Sequence, residues 1–175
     1  YIYRNIDKIL EMAGITKRVG KQSMANISPD QEDTAVLNEV KLYSNILQFG
    51  TRADSIVIHK DNSVSIIDWK TGDITSDFDV NRIMAYAEEL GIKDNKLTRA
   101  KLEIMMRALA LKEHAPETVF RNLRVVRLNS GGFATYEVDV HEMLFLIGKY
   151  YQVTDKAKFK ELSDKGLLNV SDYVG

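Results

Sequence analysis

GTRADSIVIHKDNSVSIIDWKTG, residues 50–72, is the stretch that decides how this chain folds. It reads as two strands, 52–60 and 63–70, joined by a turn at Asp61-Asn62. Residues two apart on a strand share a face, so Asp68 and Lys70 project together while Trp69 faces the other way. Val64, Ile66 and Asp68 share one face, and Ser65, Ile67 and Trp69 share the other. Apolar residues on both faces predict a strand covered on both sides, with Trp69 in the core.

Upstream, AVLNEVKLYSNILQF (35–49) is rich in β-branched and aromatic residues, with a turn offered at Ser44-Asn45. The pattern predicts one strand near 36–43 and another starting near 46, with Tyr43 in the core. Glu39 and Lys41 share one face, and Val40 and Leu42 the other. Residues 2–13 carry Ile2, Ile6, Ile9, Leu10 and Ala13 at helical spacing. A basic irregular connection follows, with Lys17, Arg18 and Lys21. It suits a solvated loop or a phosphate-contacting arm.

Downstream, Asp79 is a good N-cap for a helix reaching Gly91, with Val80, Ile83, Met84, Ala87 and Leu90 on one stripe. Arg82 and Tyr86 are neighbours on another face. A second helix is predicted over 95–113, with Leu97, Leu102, Met105, Met106 and Leu109 facing inward. A hairpin follows over 122–128 and 133–140, turning at Ser130-Gly131-Gly132 and carrying Arg121, Arg124 and Arg127 toward solvent or a partner. Helices are expected at 141–151 and 156–165. The order implies an α/β or α+β fold, a central mixed β-sheet flanked by helices.

The totals suit a single domain over 1–175: an N-terminal helix and basic loop (1–35), a core (36–153), and a C-terminal helix and tail (154–175). Apolar residues are 45% and charged residues 28%, as in ordinary globular proteins. A net charge of −1 leaves nucleic-acid contact to local patches. With no cysteine, structural disulfides and thiolate metal sites are excluded. No apolar run nears the ~20 residues of a membrane helix, and the N-terminus lacks a signal-peptide core. These point to a cytoplasmic rather than a secreted protein. The chain begins at Tyr1 rather than Met, which suits a fragment of a longer protein.

The residues that carry chemistry are acids and one lysine. Phosphodiester hydrolysis needs an activated water and charge compensation, which a divalent metal on hard oxygen ligands supplies. Asp54 and Asp68 offer two such ligands, a main-chain carbonyl at Trp69 a third, and Glu39 an additional acid. Lys70 is positioned to act on the attacking water or the developing charge. By spacing alone, a metal site and a solvated Asp–Lys pair explain the triplet equally well. His59, His114 and His141 lack metal-pair spacing and are expected at the surface.

Glu39, GTRAD (50–54), IIDWKTG (66–72) and NRIMAYA (81–87) occur in the order of a known array. The array resembles that of the PD-(D/E)XK nuclease superfamily, in its RecB-like branch with the phage and mitochondrial genome maintenance exonucleases. The resemblance implies a restriction-endonuclease-like core and a Mg2+- or Mn2+-dependent deoxyribonuclease of exonuclease form, acting on single-stranded DNA or duplex ends. It implies Glu39, Asp54 and Asp68 as metal ligands, Lys70 as the catalytic lysine, and Tyr86 near substrate, with Thr51 and Thr71 as further contacts. Arg82 stands where the family carries glutamine, exchanging a donor-and-acceptor for a pure donor. That departure admits the alternative of a weak or inactive nuclease-fold module for DNA binding or assembly with other domains or subunits of a larger phage protein. The implied setting is the cytoplasm of a bacterial or phage-infected cell.

Overall fold

The strands of the opening stretch form the middle of a five-stranded mixed sheet. In the computed structural model, residues 35–70 and 80–174 are described. The expected helix over 2–13, the basic connection, Thr71, Gly72 and the Asp79 cap lie outside the described residues. The sheet runs in the order β1 (Ala35–Ser44), β2 (Phe49–Ile58), β3 (Val64–Lys70), β4 (Phe120–Asn129) and β5 (Gly132–Glu137). Neighbours are antiparallel except β3 and β4, which are parallel. A parallel pair requires a crossover. Here the chain passes through α1 (Val80–Met84), a 3-10 turn (Glu88–Leu90) and α2 (Lys96–His114). Helices α3 (Val140–Thr154) and α4 (Lys156–Asp164) complete the described fold.

Helix α2 is the centre of the core. It lies against β1, β2, β3 and β4 on one side and against α1 and α3 on the other. Every residue from Leu102 to Lys112 is buried, including Met105 and Met106. Its first turn is closed by Asn95, whose Oδ1 accepts from Thr98 N at 2.8 Å. Asp139 and Asp155 do the same for α3 and α4 through Glu142 N and Lys158 N.

The structure revises several sequence expectations. No strand starts at Ile46: residues 45–48 are a turn and β2 begins at Phe49. Glu113 at the end of α2 holds that turn, accepting from Ser44 Oγ at 2.7 Å and Asn45 N at 2.8 Å. Ser44 Oγ in turn accepts from Leu47 N. The helix expected from Asp79 to Gly91 keeps its α geometry only to Met84. Tyr86 N and Ala87 N then bond carbonyls three residues back. Gly91, at φ 72°, ends the segment as expected, with Gly91 N on Glu88 O and Ile92 N on Ala87 O. Trp69 and Tyr43 are not core residues but are 48% and 38% exposed. Of the histidines only His141 is exposed. His59 is half-buried on Ser65 Oγ at 2.7 Å, and His114 is half-buried against the Tyr43 ring. The second helix falls where the pattern put it, as does the β4–β5 hairpin except that β5 ends at Glu137 and α3 takes Val140.

The C-terminal tail has an anchor that its sequence did not advertise. Tyr173 is fully buried and stacked on Phe120, and its hydroxyl donates to Leu167 O at 2.8 Å. Its own carbonyl accepts from Phe120 N, tying the tail to the start of β4.

Candidate active site

The site begins where β2 and β3 stop pairing as a regular ladder. Register runs from Ile58↔Val64 to Ser55↔Ile67. At the next step the two aspartates take over from the backbone. Asp54 N donates to Asp68 Oδ1 at 3.2 Å, and Trp69 N donates to Asp54 Oδ2 at 2.9 Å. Each carboxylate thus bonds an amide from the opposite strand, and both acids are held where the sheet opens.

The same level disturbs β1. Ala35 and Leu37 face the core, then Asn38 and Glu39 are both exposed, and Val40 and Leu42 face the core again. On β2 the alternation changes phase at Asp54 and Ser55, directly opposite. Glu39 sits at this break with φ 52°, in the left-handed region that a non-glycine residue rarely occupies. Register places it across from Asp54, between the Asn38↔Ser55 and Val40↔Ala53 pairs. Its side chain is exposed, whereas Asp68 is only 1% exposed. Among the described residues, no three His, Cys, Asp or Glu side chains are gathered as a ready ligand set.

Lys70 shares the Asp68 face, as the alternation requires, and its partner comes from α2. Lys70 Nζ donates to Glu103 Oε2 at 3.3 Å. Four residues further along that helix, Arg107 pairs through Nη1 with Asp68 Oδ2. Arg107 Nε donates to Thr51 Oγ1 at 3.1 Å, and Nη2 lies 3.9 Å from Glu103 Oε2. Glu103 and Arg107 are 1% and 4% exposed. Burial lowers the Arg107 pKa to about 10 against the opposing pull of Asp54. The guanidinium remains charged at neutral pH.

Glu103 and Arg107 were not among the sequence candidates. Their signal was two opposite charges four apart inside the apolar run LEIMMRALAL (102–111). A helix buried nearly all round has no polar face on which such a pair could be solvated. The pair must therefore meet charges from the sheet, and it meets Lys70 and Asp68.

The remaining candidates are dispersed. Thr51 is in the cluster through Arg107, while Trp69 contributes its amide to Asp54 and turns its ring to solvent. Tyr86 packs edge-on to Tyr150 of α3 with centroids 5.7 Å apart, and Arg82 is exposed on α1. Arg127 was expected to face solvent or a partner. It is exposed, and β3–β4 register sets it beside Lys70 on the same face.

The donors suit a hard divalent ion in kind, since Asp54, Asp68 and Glu103 are all carboxylates. In charge, Arg107 and Lys70 already balance two of the three. Such a buried assembly is costly to break by one member and adds little stability compared with apolar packing. Matched against models of protein families the sequence fits none, and no curated protein is detectably similar to it.

Proposed function

We propose that this chain is a divalent-metal-dependent DNA nuclease of the PD-(D/E)XK, RecB-like kind, hydrolysing phosphodiester bonds from DNA ends. The observation that carries the reading is the opening between β2 and β3. There Asp54 and Asp68 are each bonded to the other's strand, with Lys70 on the Asp68 face. This opening lies at the C-terminal end of the parallel β3–β4 pair, where α/β sheets commonly bind ligands.

In this reading Asp54 and Asp68 would hold Mg2+ or Mn2+. A bound divalent ion supplies Lewis acidity and a water of lowered pKa. Lys70 orients the attacking water or neutralises charge on the phosphoryl oxygens, and Glu103 fixes the position of its ammonium group. Arg127, exposed beside Lys70, meets the DNA backbone. Glu39 reaches the site only by turning inward from its exposed position on β1. The cytoplasm of a bacterial or phage-infected cell would supply such a substrate. No helix among the described residues is long and apolar enough to cross a membrane.

One observation favours a second reading. The Asp68–Arg107 pair leaves Asp68 neutralised without any metal, as in a nuclease-fold module that binds DNA or assembles without cutting. End-labelled single- and double-stranded DNA incubated with Mg2+ or Mn2+ separates the two. The nuclease reading expects metal-dependent shortening by the wild-type chain and none by Asp68→Ala. Intact DNA in both lanes, with a folded wild-type protein that retains DNA, selects the binding module.

A further inference from the structure

The charges gathered around Asp68 do not simply cancel. Asp54, Asp68 and Glu103 carry three negative charges against two positive ones on Lys70 and Arg107. A divalent ion adds two positive charges to the cluster beside Arg127 and strengthens its attraction for DNA. The same ion must share Asp68 with a guanidinium already in place, and two cations on one buried carboxylate repel strongly at low dielectric.

We propose that Arg107 is a displaceable counter-cation, closed on Asp68 when no divalent ion is held and withdrawn onto Glu103 when an ion takes Asp68. The inference rests on the reading of Asp54 and Asp68 as metal ligands. Its basis is the reach of Arg107 between two acids. Nη1 is on Asp68 of the sheet, and Nη2 is 3.9 Å from Glu103 Oε2, one turn back on its own helix. Glu103 and Arg107 are one turn apart on the same face of α2, so the exchange is a side-chain rotation. Glu103 Oε2 also receives Lys70 at 3.3 Å, so it is the acid on which both bases converge. Neither position strands the guanidinium, which matters because an unpaired buried charge is strongly unfavourable. Thr51 Oγ1, accepting from Nε, marks the pivot.

The device has a functional consequence. The ion both strengthens the attraction for DNA and releases Asp68. Metal and DNA binding are then positively coupled through Arg107.

The test is Mn2+ binding to the full chain in the absence of DNA, by titration calorimetry and by loss of the free-ion paramagnetic signal. Wild type, Arg107→Gln, Arg107→Lys, Glu103→Gln and Asp68→Asn are compared, each checked for folding by circular dichroism. Arg107→Gln is expected to bind Mn2+ roughly tenfold tighter than wild type. Glu103→Gln, which removes the place of withdrawal, binds more weakly. Arg107→Lys keeps the charge on a shorter reach and falls between wild type and Arg107→Gln, which provides a reading if the Gln variant does not fold. Equal or weaker affinity in the folded Arg107 variants overturns the proposal while leaving the metal site intact. If wild type binds no Mn2+, or Asp68→Asn binds as wild type does, the metal-site reading fails and the proposal falls with it.

Discussion

Replacing Arg107 by methionine removes the cation from Asp68 and leaves a carboxylate with 1% exposure holding one amide hydrogen bond, from Asp54 N. Removing one partner of a buried pair costs about 3–5 kcal/mol, because the survivor stays charged and desolvated. For a chain of this size each kcal/mol moves Tm by about 2–4 °C, so the loss is roughly 6–20 °C. Asp68→Leu alone strands the guanidinium, though Glu103 3.9 Å away softens the loss toward about 3 kcal/mol. The double variant Asp68→Leu/Arg107→Met strands neither charge. It loses the Asp54 N acceptor and the Thr51 contact, each worth about 1 kcal/mol, and is otherwise neutral. The double-mutant cycle therefore shows a coupling of about 3 kcal/mol or more, with the double variant more stable than either single one. Urea unfolding followed by circular dichroism at pH 7 in EDTA measures it, with constant m values as the check on two-state behaviour. Single substitutions costing under about 1 kcal/mol, or a double that costs the sum of the two, would refute the buried-pair argument.

Other outcomes follow from other parts of the molecule. Lys112 is buried and donates to Pro116 O and Thr118 O, both at 2.8 Å, while lying over the Tyr173 ring. Lys112→Met leaves two carbonyls without that donor and should cost about 2–4 kcal/mol in the same unfolding assay. In the β2–β3 turn, the Ser63 hydroxyl and amide, followed by Arg121, hold the Asp61 carboxyl down to about 2 from an ordinary 3.8. A depressed acid stabilises the fold above 3.8 and loses that contribution as pH falls through about 2. Ser63→Ala should move the Asp61 midpoint up toward 3.8, read by NMR titration of its carboxyl carbon. Arg127→Gln should weaken DNA binding across sequences and reduce the slope of log K against log salt by about one. An unchanged slope would take Arg127 off the DNA path.

How far the sequence could be read depended on whether the partner of each residue was local. Asp68 and Lys70 share a face because strand periodicity is an intrinsic property of the backbone. The β4–β5 hairpin and α2 carry their turn and cap residues within the same few positions. The turn was read at Ser44-Asn45, but its extension to Gln48 was not legible, because Glu113, 68 residues away, secures it. Trp69 and Tyr43 were misassigned because alternation gives the face of a side chain but not what covers it. The site divides in the same way. Asp54 and Asp68 were visible as acids on adjoining strands, but their cross-bonding required the two strands to separate at that level. Glu103 and Arg107 were hidden in a helix whose apolar residues fill every face, so its periodicity did not single out the side that meets the sheet. Glu39 was placed on the correct strand, and the register sets it across from Asp54, yet the break in alternation at that point turns it to solvent.

The most direct test of the nuclease reading is the single-turnover rate of Mn2+-dependent cleavage of an end-labelled DNA, with DNA affinity measured on the same samples, for wild type and Lys70→Ala. Loss of a group acting only in the transition state should lower the cleavage rate by about 10²–10³ while leaving the affinity for DNA within a few-fold. Equal rates for the two proteins, or no cleavage by wild type under any divalent ion, would contradict it.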